Sequence, residues 1–375
     1  MTDGSRPRAR SLGISIGQGA PGRWNAITDV PGVRVGHVTL ISGKGPLQVG
    51  VGPVRTGVTV ILPRDGPAWE EPVFAGCHRL NGNGELTGLE WIRETGLLAS
   101  PIAITNTHSV GVVRDALIAA EVAQRDPADY FWRLPVVGET FDGLLNDVNG
   151  QHVTAAHVEQ ALAGATSGPV AEGNVGGGTG MICHGFKGGI GTASRVVSPH
   201  RGAFTVGVLV QANQGRRDRL RIDGLRVGEQ LPDAEVPVPR LPSAPEGAGS
   251  IIVVVATDAP LLPNQCERLA QRAGLGIARA GAGADHWSGD LFLCFSTGNR
   301  GLPRTEAERT TAVAVDISML HDAHISALFE AVAEATEEAI VNALLAAETM
   351  EGRDGIVAYA LEADRLRSAM AQARA

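Results

Sequence analysis

The chain has 375 residues, of which 43% are hydrophobic and 19% are charged, and its formal net charge is -8. This length allows one large domain or two ordinary ones, and the apolar share excludes a disordered chain. The acidic balance argues against a nucleic-acid binder, and no apolar run approaches the roughly 18 residues of a membrane span. Because no apolar export signal follows the basic start, we expect a cytoplasmic protein without nucleic-acid or membrane partners.

Short strands alternate with helices in the first two-thirds of the chain. Apolar runs rich in Val and Ile, and bounded by Gly, Pro or Asn, are typical of strands. Such runs lie within residues 26–41, 57–64, 100–110 and 204–213. Between them, the spacing of apolar residues predicts helices over residues 111–124 and 152–163.

A proline-rich segment, residues 222–249, then changes the character of the chain. Its prolines exclude a helix or a central strand, so we expect a loop. They are Pro232, Pro237, Pro239, Pro242 and Pro245. After the loop, the sequence predicts strands over 250–256 and 291–297 and helices over about 321–350 and 355–373. Because a buried strand at 250 must pair with an upstream strand, we expect a single layered domain over residues 1–375.

The junction of loop and strand, Gly249-Ser250, suits backbone cleavage by an N→O acyl shift. Gly249 has no side chain to obstruct attack of the Ser250 hydroxyl on the preceding carbonyl. Once released, the Ser250 α-amine would have a pKa near 7.7–8.0 and could act as base for its own hydroxyl. The same residues are also typical of a plain turn that enters a strand.

Other motif-like patterns predict no further chemistry. Ser15 fits the G-x-S-x-G pattern but lacks the strand and helix that a nucleophile elbow requires. The glycines of residues 176–180 lack the Lys of a phosphate-binding loop, so we expect them to let backbone pass close to an active site. The ten histidines form no H-E-x-x-H motif. We therefore expect neither a metal nor an organic cofactor.

Eight blocks of sequence, in order over nearly the whole chain, resemble the family of DmpA-type L-aminopeptidase/D-esterases and β-peptidyl aminopeptidases. The blocks are NAITDVPGVRVGH (25–37), GNGELTGLEWI (82–92), PIAITNTHSVGVVRDA (101–116), PVVGETFDGLLNDVNG (135–150), GNVGGGTGMICHGFKGGIGTASR (173–195), VGVLVQANQG (206–215), GAGSIIVVVATDAPL (247–261) and WSGDLFLCFSTGN (287–299).

The resemblance implies a fold and a maturation step. Members of the family have an α+β fold, a four-layer αββα sandwich that resembles N-terminal nucleophile hydrolases. They are made as one chain that cuts itself, which here implies an α piece of residues 1–249 and a β piece of residues 250–375. The family usually forms homotetramers of αβ units, so the resemblance implies the same assembly for this chain.

The resemblance also implies roles for individual residues. Ser250 would be the nucleophile of both self-cleavage and catalysis. Ser288 and Asp290 would orient its amine and relay the proton, and Asn213 would stabilise the oxyanion. Glu139 would bind the free amino group of the substrate, because only an ammonium compensates a buried carboxylate. The function implied is that of a serine aminopeptidase acting on short peptides, amides and esters through an acyl-enzyme.

One departure and several alternatives stay open on the sequence. Phe141 stands where family members often have a tyrosine hydroxyl near the oxyanion, so its effect on rate and substrate is open. The first alternative is an acyltransferase resembling ornithine acetyltransferase, although that group generally has a threonine nucleophile. The second is a non-catalytic scaffold of the same fold. The choice among L-α, D-α and β-amino N-terminal residues depends on pocket contacts that sequence does not give.

Overall fold

The computed structural model describes residues 6–198, 202–241, 249–304 and 313–374, and the elements below are those of this part of the chain. The strands are β1 (Arg34–Ser42), β2 (Val54–Leu62), β3 (Val73–Gly82), β4 (Leu97–Leu98), β5 (Ile102–Asn106), β6 (Val136–Thr140), β7 (Ile182–Cys183), β8 (Phe186–Lys187), β9 (Gly189–Val197), β10 (Phe204–Asn213), β11 (Gly249–Thr257), β12 (Ser288–Ser296), β13 (Met350–Glu351) and β14 (Val357–Ala358). The helices are α1 (Leu89–Thr95), α2 (Val110–Val122), α3 (Ala155–Ala163), α4 (Pro263–Arg279), α5 (Ile325–Ala346) and α6 (Ala363–Arg374).

Two mixed sheets form the centre of the molecule. The smaller has the strand order β1-β2-β5-β6, and the larger has the order β4-β3-β12-β11-β10-β9. Strand β11 lies between β10, with which it pairs antiparallel, and β12, with which it pairs parallel. This confirms that the strand at 250 pairs with an upstream strand, β10.

The order of the layers is shown by which neighbours the side chains on each face of a strand contact. In β11, Ile251, Val253 and Val255 pack with residues of α4 and α5. Their alternating neighbours Ile252, Val254 and Ala256 pack against Ile102 and Ile104 of the smaller sheet. Helices α2 and α3 cover the outer face of that smaller sheet. Since side chains alternate along a strand, a strand buried on both faces is expected to be apolar on both, as β11 is from Ile251 to Ala256. The predicted four-layer αββα arrangement is confirmed.

Several predicted elements need correction. The last helix begins at Ala363 rather than at 355, because Val357–Ala358 pairs with Met350–Glu351 as a short two-stranded sheet. Strand β12 begins at Ser288, three residues before the predicted start. Residues 222–241 are irregular apart from a 3-10 turn at Val227–Gln230, as expected for a loop. Pro242, Pro245 and the rest of 242–248 lie outside the described residues.

In the part of the chain that the structure describes, every helix is too short or too polar to cross a bilayer.

Candidate active site

Ser250 is the second residue of the central strand β11, where the ends of three strands meet. Asn213 of β10 is its partner on one side, and Gly289 of β12 is its partner on the other. The Ser250 side chain lies on the same strand face as Ile252 and therefore points into the space between the sheets. Only 3% of the residue is exposed, and its Oγ lies 3.4 Å from Nδ2 of Asn213.

Gly249 is held in the same strand, not in a turn. Its N–H donates to the carbonyl of Trp287 at 3.3 Å. A Cβ at this position would lie 2.7 Å from the carbonyl oxygen of Asn213 and 3.1 Å from Cα of Gln214, which is closer than a side chain tolerates. The close approach of β10 therefore requires glycine immediately before Ser250.

The side-chain amide of Asn213 has a fixed orientation. Its Oδ1 accepts the N–H of Ile182 at 2.8 Å, and its Nδ2 donates to the carbonyl of Phe141 at 3.1 Å. Because the oxygen is bound to an N–H donor, the amide nitrogen is the group that faces Ser250. The position gives Asn213 the geometry of a hydrogen-bond donor beside the Ser250 hydroxyl.

Ser288 and Asp290 form a buried pair at the start of β12. Ser288 is level with Gly249 in the parallel register, and its hydroxyl donates to Oδ1 of Asp290 at 2.6 Å. By strand alternation, both side chains lie on the face opposite the Ser250 hydroxyl, with Ser288 level with Gly249 and Asp290 level with Ile251. Burial raises the pKa of Asp290 to about 6. Its Oδ2 is buried and has no hydrogen-bond partner among the described residues.

Two asparagines of the β3 end, which sequence analysis did not single out, hold this pair in place. The Asn81 amide donates to the carbonyl of Ser288, and the Asn83 amide donates to the carbonyl of Trp287 at 2.8 Å. Asn83 lies in one of the blocks that carry the family resemblance. The block was therefore a signal for its importance, but not for this contact.

Glu139 belongs to β6 of the smaller sheet and approaches the site from the other side. Its Oε1 accepts the N–H of Glu85 at 3.0 Å, and its Oε2 accepts the hydroxyl of Thr107. Burial raises the pKa of Glu139. Gly84 separates it from β12: a Cβ there would lie 3.1 Å from Oε1 of Glu139 and 3.2 Å from Cα of Gly289, the strand partner of Ser250. Glu139 is therefore close to the strand partner of Ser250 although 111 positions separate Glu139 and Ser250 in sequence.

The glycine-rich segment lies next to the site, as expected. A Cβ on Gly177 would overlap the side chain of Gln211, and a Cβ on Gly178 would overlap the backbone of Ile190. This segment passes between the sheets and leads to Ile182, which binds Asn213. Ser15, by contrast, is exposed and lies outside any strand or helix, so the G-x-S-x-G pattern is a coincidence.

His184 is a structural residue. It is fully buried, its Nδ1 donates to the carbonyl of Arg216 at 3.0 Å, and burial lowers its pKa to about 4. Within the described ranges, no group of three or more His, Cys, Asp and Glu side chains has the arrangement of a metal site.

Comparison with known proteins gives consistent matches over almost the entire chain. The model of peptidase family S58 matches residues 25–358. A β-peptidyl aminopeptidase of Sphingosinicella microcystinivorans is 48% identical over 98% of this chain and 93% of its own. Among solved structures, a β-aminopeptidase of Burkholderia sp. has a TM-score of 0.91 and 57% identity, covering 98% of this chain and 99% of its own. An L-aminopeptidase D-Ala-esterase/amidase of Ochrobactrum anthropi, described as a variant of the N-terminal nucleophile hydrolase fold, has a TM-score of 0.87 and 44% identity at the same coverage.

The fold and these matches define a hydrolase of the N-terminal nucleophile type. The chain belongs to peptidase family S58. The predicted family, fold class and aminopeptidase class of enzyme are thereby confirmed, and the acyltransferase alternative is not favoured.

Proposed function

We propose that this peptidase is a self-processing serine aminopeptidase in which Ser250 is both the site of self-cleavage and the catalytic nucleophile. The observation that carries the proposal is the convergence of Ser250, Asn213 and the Ser288–Asp290 pair at the ends of three adjacent strands. Self-cleavage divides the single domain into residues 1–249 and 250–375.

Self-cleavage starts from the uncut Gly249–Ser250 peptide. The Ser250 hydroxyl attacks the carbonyl carbon of Gly249, and the C–N bond breaks. The hydroxyl proton passes to the nitrogen, which becomes the free α-amine, while Gly249 is held as an ester on the Ser250 oxygen. Water then hydrolyses the ester, which leaves a carboxylate on Gly249 and restores the hydroxyl. The absence of a side chain on Gly249 supports this step, because the attacked carbonyl is unobstructed.

The new amine arises beside Asp290. The cut bond is level with Ser288 in the parallel register, and Asp290 has one buried oxygen without a partner among the described residues. An ammonium at this place would supply the missing counter-charge. Asp290 then holds the amine, and the Ser288 hydroxyl, which already binds Asp290, relays its proton.

Catalysis uses the same groups on a substrate. The free α-amine accepts the proton of the Ser250 hydroxyl as that oxygen attacks the substrate carbonyl. Nδ2 of Asn213 donates to the oxyanion, and the proton passes to the departing amine or alcohol. Water hydrolyses the acyl-enzyme to release the N-terminal residue. An amine in place of water would give acyl transfer.

Glu139 selects substrates that have a free amino group. Its carboxylate is buried, and its existing donors are one N–H and one hydroxyl, both uncharged. A substrate ammonium at this carboxylate compensates a charge that is otherwise costly to bury. We propose short peptides, amino-acid amides and esters as substrates. The sequence identity to two β-aminopeptidases favours substrates with a β-amino acid as the N-terminal residue.

The assembly and location of the protein are part of the same proposal. We propose a homotetramer of αβ units in the cytoplasm, supported by the resemblance to the family and by the composition of the chain.

Hydrolysis of matched anilides tests the proposed function. The fully cut enzyme should release p-nitroaniline from β-alanyl p-nitroanilide, and should do so at least ~100-fold more slowly from the N-acetylated compound, which lacks the ammonium. Glu139→Gln should reduce the difference between the hydrolysis rates of the two compounds. Equal rates on both compounds with the wild-type enzyme would contradict the role of Glu139, and no release from β-, L-α- or D-alanyl anilides would contradict the aminopeptidase proposal.

A further inference from the structure

Lys187 is a buried basic residue that the proposed mechanism does not use. The residue has no exposed surface, and its Nζ donates to the carbonyls of Met181 at 2.8 Å, Gly188 at 2.9 Å and Gly178 at 3.3 Å. An ammonium has three donors, so each of them has an acceptor here. Burial of a cation is costly unless its hydrogen bonds are satisfied, and all three are satisfied here by backbone carbonyls.

The carbonyls that Lys187 binds belong to the segment that orients Asn213. Lys187 is the strand partner of Ile182 in the short β7–β8 hairpin. The N–H of Ile182 donates to Oδ1 of Asn213, and the N–H of Gly188 donates to the carbonyl of Met181 at 2.8 Å. Lys187 therefore binds Met181, which immediately precedes Ile182, and Gly188, which is hydrogen-bonded to Met181 across the hairpin.

Two contacts fix which end of the Asn213 amide faces Ser250, and this hairpin supplies the one to the amide oxygen. The other contact of the amide, with the carbonyl of Phe141, is made by the Nδ2 group that the oxyanion requires. If Ile182 moved away, the amide could rotate and present its oxygen to Ser250. An oxygen there would repel the oxyanion instead of donating to it.

We propose that Lys187 is a positioning residue for the reaction: by binding the carbonyls of Met181, Gly188 and Gly178, it holds the Ile182 N–H against Asn213 and keeps the Asn213 amide nitrogen directed at the nucleophile. The inference rests on the proposed role of Asn213. It assigns to the glycine-rich segment a function in catalysis, because Gly178 is one of the three acceptors.

A double-mutant cycle on cut enzyme tests the inference. Lys187→Met, Asn213→Ala and the double variant are compared with wild type, and kcat is expressed per cut molecule as counted by intact mass. Loss of one oxyanion donor typically lowers kcat by ~10²–10³-fold, so we expect such a loss for Asn213→Ala. Lys187→Met should lower kcat by at least ~10-fold with little change in KM. In the Asn213→Ala background, Lys187→Met should lower kcat by no more than a further factor of about 2, because both changes remove the same interaction.

Arg64→Met is the matched control. Arg64 is also a buried basic residue that donates to backbone carbonyls, those of Thr297 and Asn299. It also pairs with Glu71 at 2.9 Å and makes no described contact with the hairpin. Arg64→Met should lower the melting temperature with little effect on kcat. If Lys187→Met does not fold, Lys187→Gln, which keeps a donor, replaces it in the cycle and should give the same non-additive pattern.

The outcomes separate the inference from the proposed function. A cut and folded Lys187 variant with wild-type kcat, or one whose effect multiplies in full with that of Asn213→Ala, would overturn the positioning role. An unchanged kcat in Asn213→Ala alone would instead overturn the proposed role of Asn213.

Discussion

Asp290 and Glu139 are two buried carboxylates near Ser250, one in each sheet. Burial raises the pKa of both, and neither has a cationic side chain as a hydrogen-bond partner among the described residues. In the proposed mechanism, each receives an ammonium at a different time. Asp290 receives that of Ser250 after self-cleavage, and Glu139 receives that of the substrate. In this proposal, the uncut chain contains the negative charge of Asp290, which the ammonium formed by self-cleavage would compensate.

This arrangement predicts how the stability of the uncut chain depends on pH. The Asp290 pKa is about 6 in the fold and 3.8 in its reference state, so the protonated form favours folding. Its contribution to stability is complete below pH ~3.8 and is lost as the pH rises through ~6. In the uncut Ser250→Ala chain, Asp290→Asn should therefore become more stable relative to its parent between pH 4 and pH 7, by roughly 2–3 kcal/mol.

Urea unfolding of the two chains at pH 4, 5, 6 and 7 measures this difference. Comparing the two chains at each pH cancels the titration of all other groups that they share. If the difference between the unfolding free energies of the two chains stayed constant from pH 4 to pH 7, the pKa of Asp290 would not be raised in the uncut protein.

At the scale of elements, the close packing of α5 on β9 depends on one glycine. A Cβ on Gly191 of β9 would overlap the carbonyl oxygen of Ala339 and crowd Ala343, both in α5. The backbone of the helix therefore lies directly on the strand, at a distance that only glycine allows.

Gly191→Ala should destabilise the fold by about 1–3 kcal/mol, because an added methyl group forces the helix away from the sheet. Gly111→Ala is the matched control. Gly111 lies in the first turn of α2, and no atom outside its immediate surroundings comes within 4 Å of a Cβ placed there. That change should stabilise the chain by up to ~1 kcal/mol through helix propensity. Equal effects of the two changes in thermal unfolding would contradict the packing described.

The elements that sequence predicts well are those whose signal is local. Strand β11 is apolar at every position from Ile251 to Ala256, and helices α2 and α3 have clear apolar spacing. Helix α4 gives a weaker signal, because its buried positions include Cys266, Ala270 and Ala273 and its sequence contains two glycines. Strand β3 gives little strand signal in the sequence, since its second half is mostly polar.

The site shows the same limit. Ser250, Asn213 and Glu139 could be named from the family resemblance, but their proximity depends on pairing between distant strands. Ser288-Gly-Asp290 is typical of a turn when taken alone. It becomes strand because its backbone pairs with Gly249–Ile251. The donors Thr107, Asn81 and Ile182 have no chemical signature in sequence, so only the structure reveals them.

At the scale of the whole molecule, the two pieces of the proposed mature enzyme are interleaved. In the larger sheet, β11 and β12 of the β piece lie between β3 and β10 of the α piece. Ion pairs that are wholly or partly buried add to this connection. Arg195 of the α piece binds Glu338 at 2.8 Å and Glu334 at 2.9 Å, and Arg10 binds Glu338 at 2.9 Å. Cutting the chain at 249–250 breaks none of these contacts.

The cut protein should therefore behave as one cooperative unit. We expect the two pieces to elute together on size exclusion and to unfold in a single thermal transition at neutral pH. Mass spectrometry of the eluted peak should find both pieces in equal amounts. Separation of the pieces without denaturant would contradict the interleaved sheet.

Intact-mass spectrometry of the purified wild type beside Ser250→Ala tests the central claim most directly. The wild type should give two fragments, residues 1–249 and 250–375, with the smaller one beginning at Ser250, and the variant should stay whole. A wild type that stays whole after long incubation, yet hydrolyses an aminoacyl anilide, would contradict the mechanism, because no free α-amine would exist to serve as the base.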